Sequence, residues 1–141
     1  MQKILIPVDG STASEHAVRQ VISTAQHGTK PDVHLLHVAA PLPLADIPDM
    51  AKPGLLARLG MDEADRAFDK AQRLLAEAGV QYSSRTVAGD PAQEIALYCD
   101  VHACDQIVMG TRGLGPIKDL LLGSVATKVL HLVKVPVTFV K

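Results

Sequence analysis

Apolar positions along this chain alternate between two periods. Short runs dense in branched residues give way, again and again, to longer stretches in which apolar residues recur every three or four positions. Ile4-Leu5-Ile6-Pro7-Val8 is the first short run and predicts a strand. Thr12, followed by Glu15, has the form of a capping box. Ala17, Val18, Val21, Ile22 and Ala25 then hold one helical stripe, which Gly28 ends. Val33 to Val38 predicts a second strand. Between positions 40 and 54 the rhythm fails, because Pro41, Pro43, Pro48 and Pro53 remove the donors a regular element needs. That segment reads as a surface loop, with a lid as one role for it.

From Leu55 a helical pattern returns, with Phe68, Ala71, Leu74, Leu75 and Ala78 on one face and Gly79 as its stop. Val80 to Val87 alternates polar and apolar residues, as a strand at a sheet edge does. Asp90-Pro91 pairs a capping acid with a proline at the first helical position, and Ile95, Ala96 and Cys99 supply that helix's inner face. Gln106 to Met109 predicts a fourth strand, ending at Gly110. A last helix from about Ser124 turns Val125, Val129, Leu132 and Val133 inward, and Val135 to Val140 forms a terminal strand. Five strands alternating with four helical segments require crossover connections. The fold class is therefore α/β: a three-layer open sheet of five mainly parallel strands with helices on both faces. In such sheets ligands sit beyond the carboxyl ends of the strands, where the strand order reverses, so the ends of strands one and four are the place to look.

The length of 141 residues suits a single domain, residues 1–141, and a hydrophobic fraction of 48% supplies its core. Charge narrows the field: 14 Lys+Arg against 15 Asp+Glu leave a net charge of −1, and aromatic residues make up only 3%. Neither a basic groove nor a row of stacking rings is available, so no nucleic-acid partner is expected. No apolar run is long enough to span a bilayer and no secretory leader precedes the first strand, so no membrane partner is expected either. Cys99 and Cys104 are too few for a disulfide framework and wrongly spaced for CxxC chemistry. Together these features point to a cytoplasmic protein.

The chemistry concentrates at two strand ends. Strand one ends in Pro7-Val8-Asp9-Gly10-Ser11, and strand four in Gly110-Thr111-Arg112-Gly113. The spacing runs Gly110, two residues, Gly113, nine residues, then Gly123-Ser124 at a helix start. Glycines let backbone N–H groups approach phosphate oxygens without a Cβ in the way, and a helix N-terminus adds unpaired N–H groups and partial positive charge. Ser124 can donate its hydroxyl to a phosphate, Arg112 can screen its charge, and Asp9 can accept from ribose hydroxyls or face a divalent ion through water. Each part has a plainer reading, as a turn glycine or a helix cap. The combination is harder to set aside.

With those residues, the chain resembles the ATP-binding branch of the universal stress protein family. The glycine motif matches without gap or substitution, and the likeness runs from Lys3 through Leu36-His37-Val38 to Val135-Pro136-Val137. The resemblance implies the Rossmann-like fold of the adenine-nucleotide alpha-hydrolase type. It implies that Pro7, Val8 and Asp9 line the adenosine site, with Asp9 near the ribose. Val38 would meet adenine through its backbone, over a floor of Met109 and Gly110. Gly113, Gly123, Ser124 and Val125 would hold the phosphates, with Arg112 and Ala126 close by. ATP is the expected ligand, with Mg²⁺ or Mn²⁺ held through the phosphates and water. The resemblance also implies a homodimer joined through the last strand, Val135 to Val140, a short apolar run of the sort that pairs with a copy of itself.

Near-matches to other motifs fail on single residues. Pro116 stands where a P-loop needs its lysine, and Lys118 where a dinucleotide fingerprint needs its third glycine. Asp9 has no acidic neighbour, unlike the paired acids of a phosphoacceptor domain. His34 and His37, three apart in a strand, point to opposite faces and cannot share a metal ion. The cluster Asp62, Glu63, Asp65 with Arg58 and Arg66 reads as a solvated helix face. The expected function is a nucleotide-responsive regulator or sensor in stress response, and no residue stands out as catalytic. A weak ATPase or autophosphorylating protein is the alternative, for which no base poised on the γ-phosphate is visible. A pure interaction module with a vestigial site is the third reading.

Overall fold

The computed structural model describes residues 1–39, 52–111 and 122–141. Nine elements follow in order: β1 (Gln2–Pro7), α1 (Thr12–Gln26), β2 (Pro31–Ala39), α2 (Lys52–Glu77), β3 (Tyr82–Ala88), α3 (Pro91–Val101), β4 (Gln106–Gly110), α4 (Ser124–Leu132) and β5 (Val137–Val140). The sheet has the order β3-β2-β1-β4-β5, and every neighbouring pair is parallel. The chain builds outward from β1 to β2 and β3, then crosses back to add β4 and β5 on the other side. The order therefore reverses between β1 and β4. Their carboxyl ends flank the crevice that such a reversal opens.

Each face of the sheet carries two helices. Ile4, Ile6 and Val8 of the first strand and its turn pack with Val18 and Val21 of α1 and Phe68 and Leu75 of α2. On the opposite face Leu5, Leu36, Ile107 and Met109 pack with Ile95 of α3 and Val129 of α4. Alternate residues of one strand thus enter different cores, and Leu5, Ile6, Leu35, Leu36 and Ile107 are fully buried. That is why β1, β2 and β4 are continuously apolar. β3 lies at one edge, as expected, and is mostly exposed. Among the described residues no helix is long and apolar enough to cross a membrane.

Several local expectations shift. The cap of α1 is Ser11, whose hydroxyl accepts from the Ser14 N–H at 3.2 Å, so the expected Thr12–Glu15 box lies one residue too late. Glu15 instead pairs with Arg19 one turn on, at 3.0 Å. α2 starts at Lys52, inside the stretch expected to be irregular, with Pro53 in the first turn where a missing N–H costs nothing. The rest of the proline-rich loop, 40–51, lies outside the described residues. α3 is capped by Asp90, whose carboxylate accepts from the Gln93 N–H at 3.1 Å, with Pro91 at its start as expected. Ala96 is only partly covered, and Ala92 and Tyr98 join Ile95 and Cys99 on the inner face. Leu132, expected inside, is 50% exposed, while Ala126 and Val129 carry the burial of α4.

Candidate functional site

The turn after β1 forms one wall of the crevice. The ladder ends with the Val8 N–H donating to Leu36 O at 2.9 Å, and Asp9 follows. Asp9 Oδ1 accepts from the Ser11 N–H at 2.9 Å, closing a tight local loop. Gly10 takes φ +81°, where a side chain is strained, and lies against α2 near Ala67. The Asp-Gly-Ser sequence thus orients Asp9 and starts α1 at the same time. One carboxylate oxygen is engaged in that loop, and Asp9 keeps partial exposure for its other.

The second wall is the end of β4. Gly110 is a glycine for a reason other than phosphate access. A Cβ there would lie 2.6 Å from Ala13 Cβ and 2.9 Å from the Ala13 carbonyl carbon, so only a bare backbone lets the first turn of α1 close onto β4. Met109 is buried among the residues facing α3 and α4, beside Phe139 in register. What Met109 and Gly110 can offer a ligand is main chain.

From there the chain departs at Thr111 and returns at Gly123. Thr111 is buried, its N–H donates to Val140 O at 2.9 Å, and its carbonyl accepts from the Gly123 N–H at 2.6 Å. This double clasp ties the base of the loop to β5 and sets the start of α4 beside β4. The Gly123 amide is consequently occupied, and Gly123 itself has an ordinary extended backbone, φ −70° and ψ 169°. Among the described residues no side chain caps α4; the first helical bond runs from the Thr127 N–H to Gly123 O at 3.0 Å. The amides of Ser124, Val125 and Ala126 precede that bond and have no partner within the helix. Ser124 is exposed, Val125 partly covered and Ala126 buried.

The fold therefore brings together most of the expected residues: Pro7, Val8 and Asp9 from β1 and its turn, Val38 from the neighbouring β2, Met109 and Gly110 from β4, and Gly123 to Ala126 from α4. Arg112 and Gly113 lie outside the described residues. Two participants were not anticipated. Thr111 is the clasp, hidden in the sequence because its role depends on two distant backbone partners. His37, immediately before Val38, donates from Nδ1 to Val8 O at 3.2 Å, a contact that links two strand ends. His34 projects to the other face, as its spacing requires, where its ring meets the Tyr98 hydroxyl at 2.8 Å. Burial raises the Tyr98 hydroxyl above its ordinary range, and burial beside Cys99 pushes the Cys104 thiol up to about 11.

A parallel sheet with its order reversing at β1/β4, a glycine turn on one wall and an uncapped helix on the other, defines the class of open, doubly wound α/β domains. Comparison with known proteins narrows the class. The chain belongs to the universal stress protein family, whose sequence model matches residues 1–141. It is 33% identical over 140 residues to the universal stress protein MJ0531 of Methanocaldococcus jannaschii, covering 99% of this chain and 82% of that protein. Among solved structures it is similar to MJ0577 of the same organism, with a TM-score of 0.83, 29% identity and coverage of 99% and 95%. It is also similar to a universal stress protein solved in complex with cAMP, with a TM-score of 0.71, 25% identity and coverage of 99% and 97%.

Proposed function

We propose that this chain is a single-domain, cytoplasmic, ATP-binding universal stress protein that acts as a nucleotide-responsive regulator or sensor. The observation that carries the reading is the start of α4, where three successive amides without intrahelical partners stand at the strand-order reversal with no side-chain cap among the described residues. Anions are favoured at such a terminus, and a triphosphate supplies oxygens for all three. The similarity to a protein solved with cAMP supports an adenine nucleotide as the class of ligand. In this reading Asp9 takes the ribose, the Val38 main chain takes adenine, Met109 and Gly110 form the floor, and Ser124, Val125 and Ala126 hold phosphates. Gly123 contributes through the clasp rather than its own amide. Arg112 and Gly113 complete the phosphate loop. Mg²⁺ or Mn²⁺ is held through phosphate oxygens and water, with Asp9 the carboxylate that the described residues bring to the crevice.

ATP then signals only as far as its affinity for two states of the protein differs. Among the described residues β5 ends the sheet with one edge unpaired, and two copies join there through Val135 to Val140. Isothermal calorimetry with ATP, on the whole chain and on Gly113→Val, tests the binding claim. Saturable binding that the substitution abolishes is expected; equal heats in both proteins would remove the glycine loop from the site. Mass spectrometry of the co-purified small molecule identifies the nucleotide, and light scattering at micromolar concentration is expected to return twice the chain mass.

A further inference from the structure

Beside the site lies the buried imidazole of His37. His37 is 3% exposed, yet its Nε2 has no hydrogen-bond partner among the described residues. The Glu63 carboxylate of α2 stands 3.6 Å from Nε2, beyond hydrogen-bond reach, and Phe68 meets the ring edge-on at 6.1 Å between centroids. Because Val8 O can only accept, the proton of the neutral ring sits on Nδ1. A buried lone pair left unmet is costly, so what the ring does with its other nitrogen needs an explanation.

The sheet ladder supplies one. Odd-numbered residues of β2 bond to β3: the Val33 N–H donates to Gln81 O at 3.1 Å, and Ala39 O accepts from the Gly89 N–H at 3.2 Å. Even-numbered residues face β1, as the bond from the Val8 N–H to Leu36 O shows. The next rung of a parallel ladder would run from the Val38 N–H to Val8 O. The His37 ring engages that carbonyl instead. We infer that His37 is a positioning residue of the nucleotide site: it draws the Val8 carbonyl off the ladder and so keeps the Val38 amide free for the adenine edge. The inference rests on the adenine-nucleotide reading and names how that site keeps one of its donors.

Three variants of the whole chain test it, with ATP as the probe. Asparagine presents an N–H near the Nδ1 position and glutamine near the Nε2 position. His37→Asn is therefore expected to bind within threefold of the unsubstituted chain, and His37→Gln and His37→Phe to lose about tenfold, the order of one hydrogen bond. Equal affinity in the Asn and Gln proteins would overturn the inference, whichever way both moved. Amide hydrogen exchange at Val38 gives a readout that needs no nucleotide. In the free protein the Val38 amide is expected to exchange at least tenfold faster than in His37→Gln, where the rung closes. Strong protection of Val38 in the free, unsubstituted protein would overturn the inference. Absence of ATP binding by the unsubstituted chain would instead refute the nucleotide reading, with exchange at Val38 still deciding what His37 does to the ladder.

Discussion

Replacing Gly110 by alanine isolates the contact that sets the two walls of the crevice against each other. The new Cβ would lie 2.6 Å from Ala13 Cβ, 2.9 Å from Ala13 C and 3.1 Å from Ala13 O. Carbon atoms pack best at roughly 3.5–4.0 Å, so α1 must retreat from β4 by about 1 Å. Two of the three nearest atoms are backbone, and no rotamer change relieves them. Gly110 is not among the glycines at positive φ, so the penalty is steric and not conformational. Overpacking of this kind costs about 1–3 kcal/mol, which at roughly 4 °C per kcal/mol lowers Tm by about 4–12 °C. Urea unfolding followed by circular dichroism measures it. Adding Ala13→Gly removes the nearest of the three contacts and is expected to recover part of the loss in a double-mutant cycle, against its own helix cost of about 1 kcal/mol. A Gly110→Ala protein melting within about 1 °C of the original, or a cycle with no coupling, would refute the reasoning.

Other expectations follow from particular geometries. Ala103 adopts φ +51° after α3, where the Ala103 N–H bonds to Asp100 O and the Cys104 N–H to Cys99 O, the pattern of a Schellman cap; Ala103→Gly is expected to stabilise the protein by about 1 kcal/mol in urea unfolding. Ser11→Ala removes the cap of α1 and is expected to cost about 1 kcal/mol by the same assay. The Cys104 thiol, raised from 9.0 to about 11, favours folding while it stays protonated. Its contribution is whole below pH 9 and lost as pH rises toward 11, so unfolding free energy measured across that window should fall less steeply in Cys104→Ala.

Much of the fold was legible because β1, β2 and β4 are buried on both faces and therefore read as unbroken apolar runs. The caps of α3 and the stops at Gly28 and Gly79 were legible for a local reason, since the residues that make them are neighbours in sequence. Where the reading slipped, a competing local interaction decided. Ser11 and Thr12 are both capping residues, and the loop closed by Asp9 on the Ser11 amide selects the first. Pro53 looked like a helix breaker but occupies a first turn. Leu132 looked inward because it follows Val129 by three positions, but Val133, four positions on, takes the place against the core. At the candidate site, the glycine spacing gave no hint that Gly110 answers to Ala13, or that the Gly123 amide is taken by the Thr111 carbonyl. The His37 ring on Val8 O and the Thr111 clasp join residues far apart in sequence, and no spacing announces them.

Main-chain amides at the start of α4 are the proposed grip on phosphate, and one substitution removes a single such amide. Ser124 is the first residue of the helix, where proline is tolerated, and Gly123 already has the extended backbone that proline requires before it. Ser124→Pro deletes the amide and the hydroxyl together; Ser124→Ala deletes the hydroxyl alone. Calorimetric titration of both proteins with ATP is predicted to show the proline form about tenfold weaker than the alanine form, with Tm values within a few degrees of each other. Matching ATP affinities in two equally stable proteins would contradict the claim.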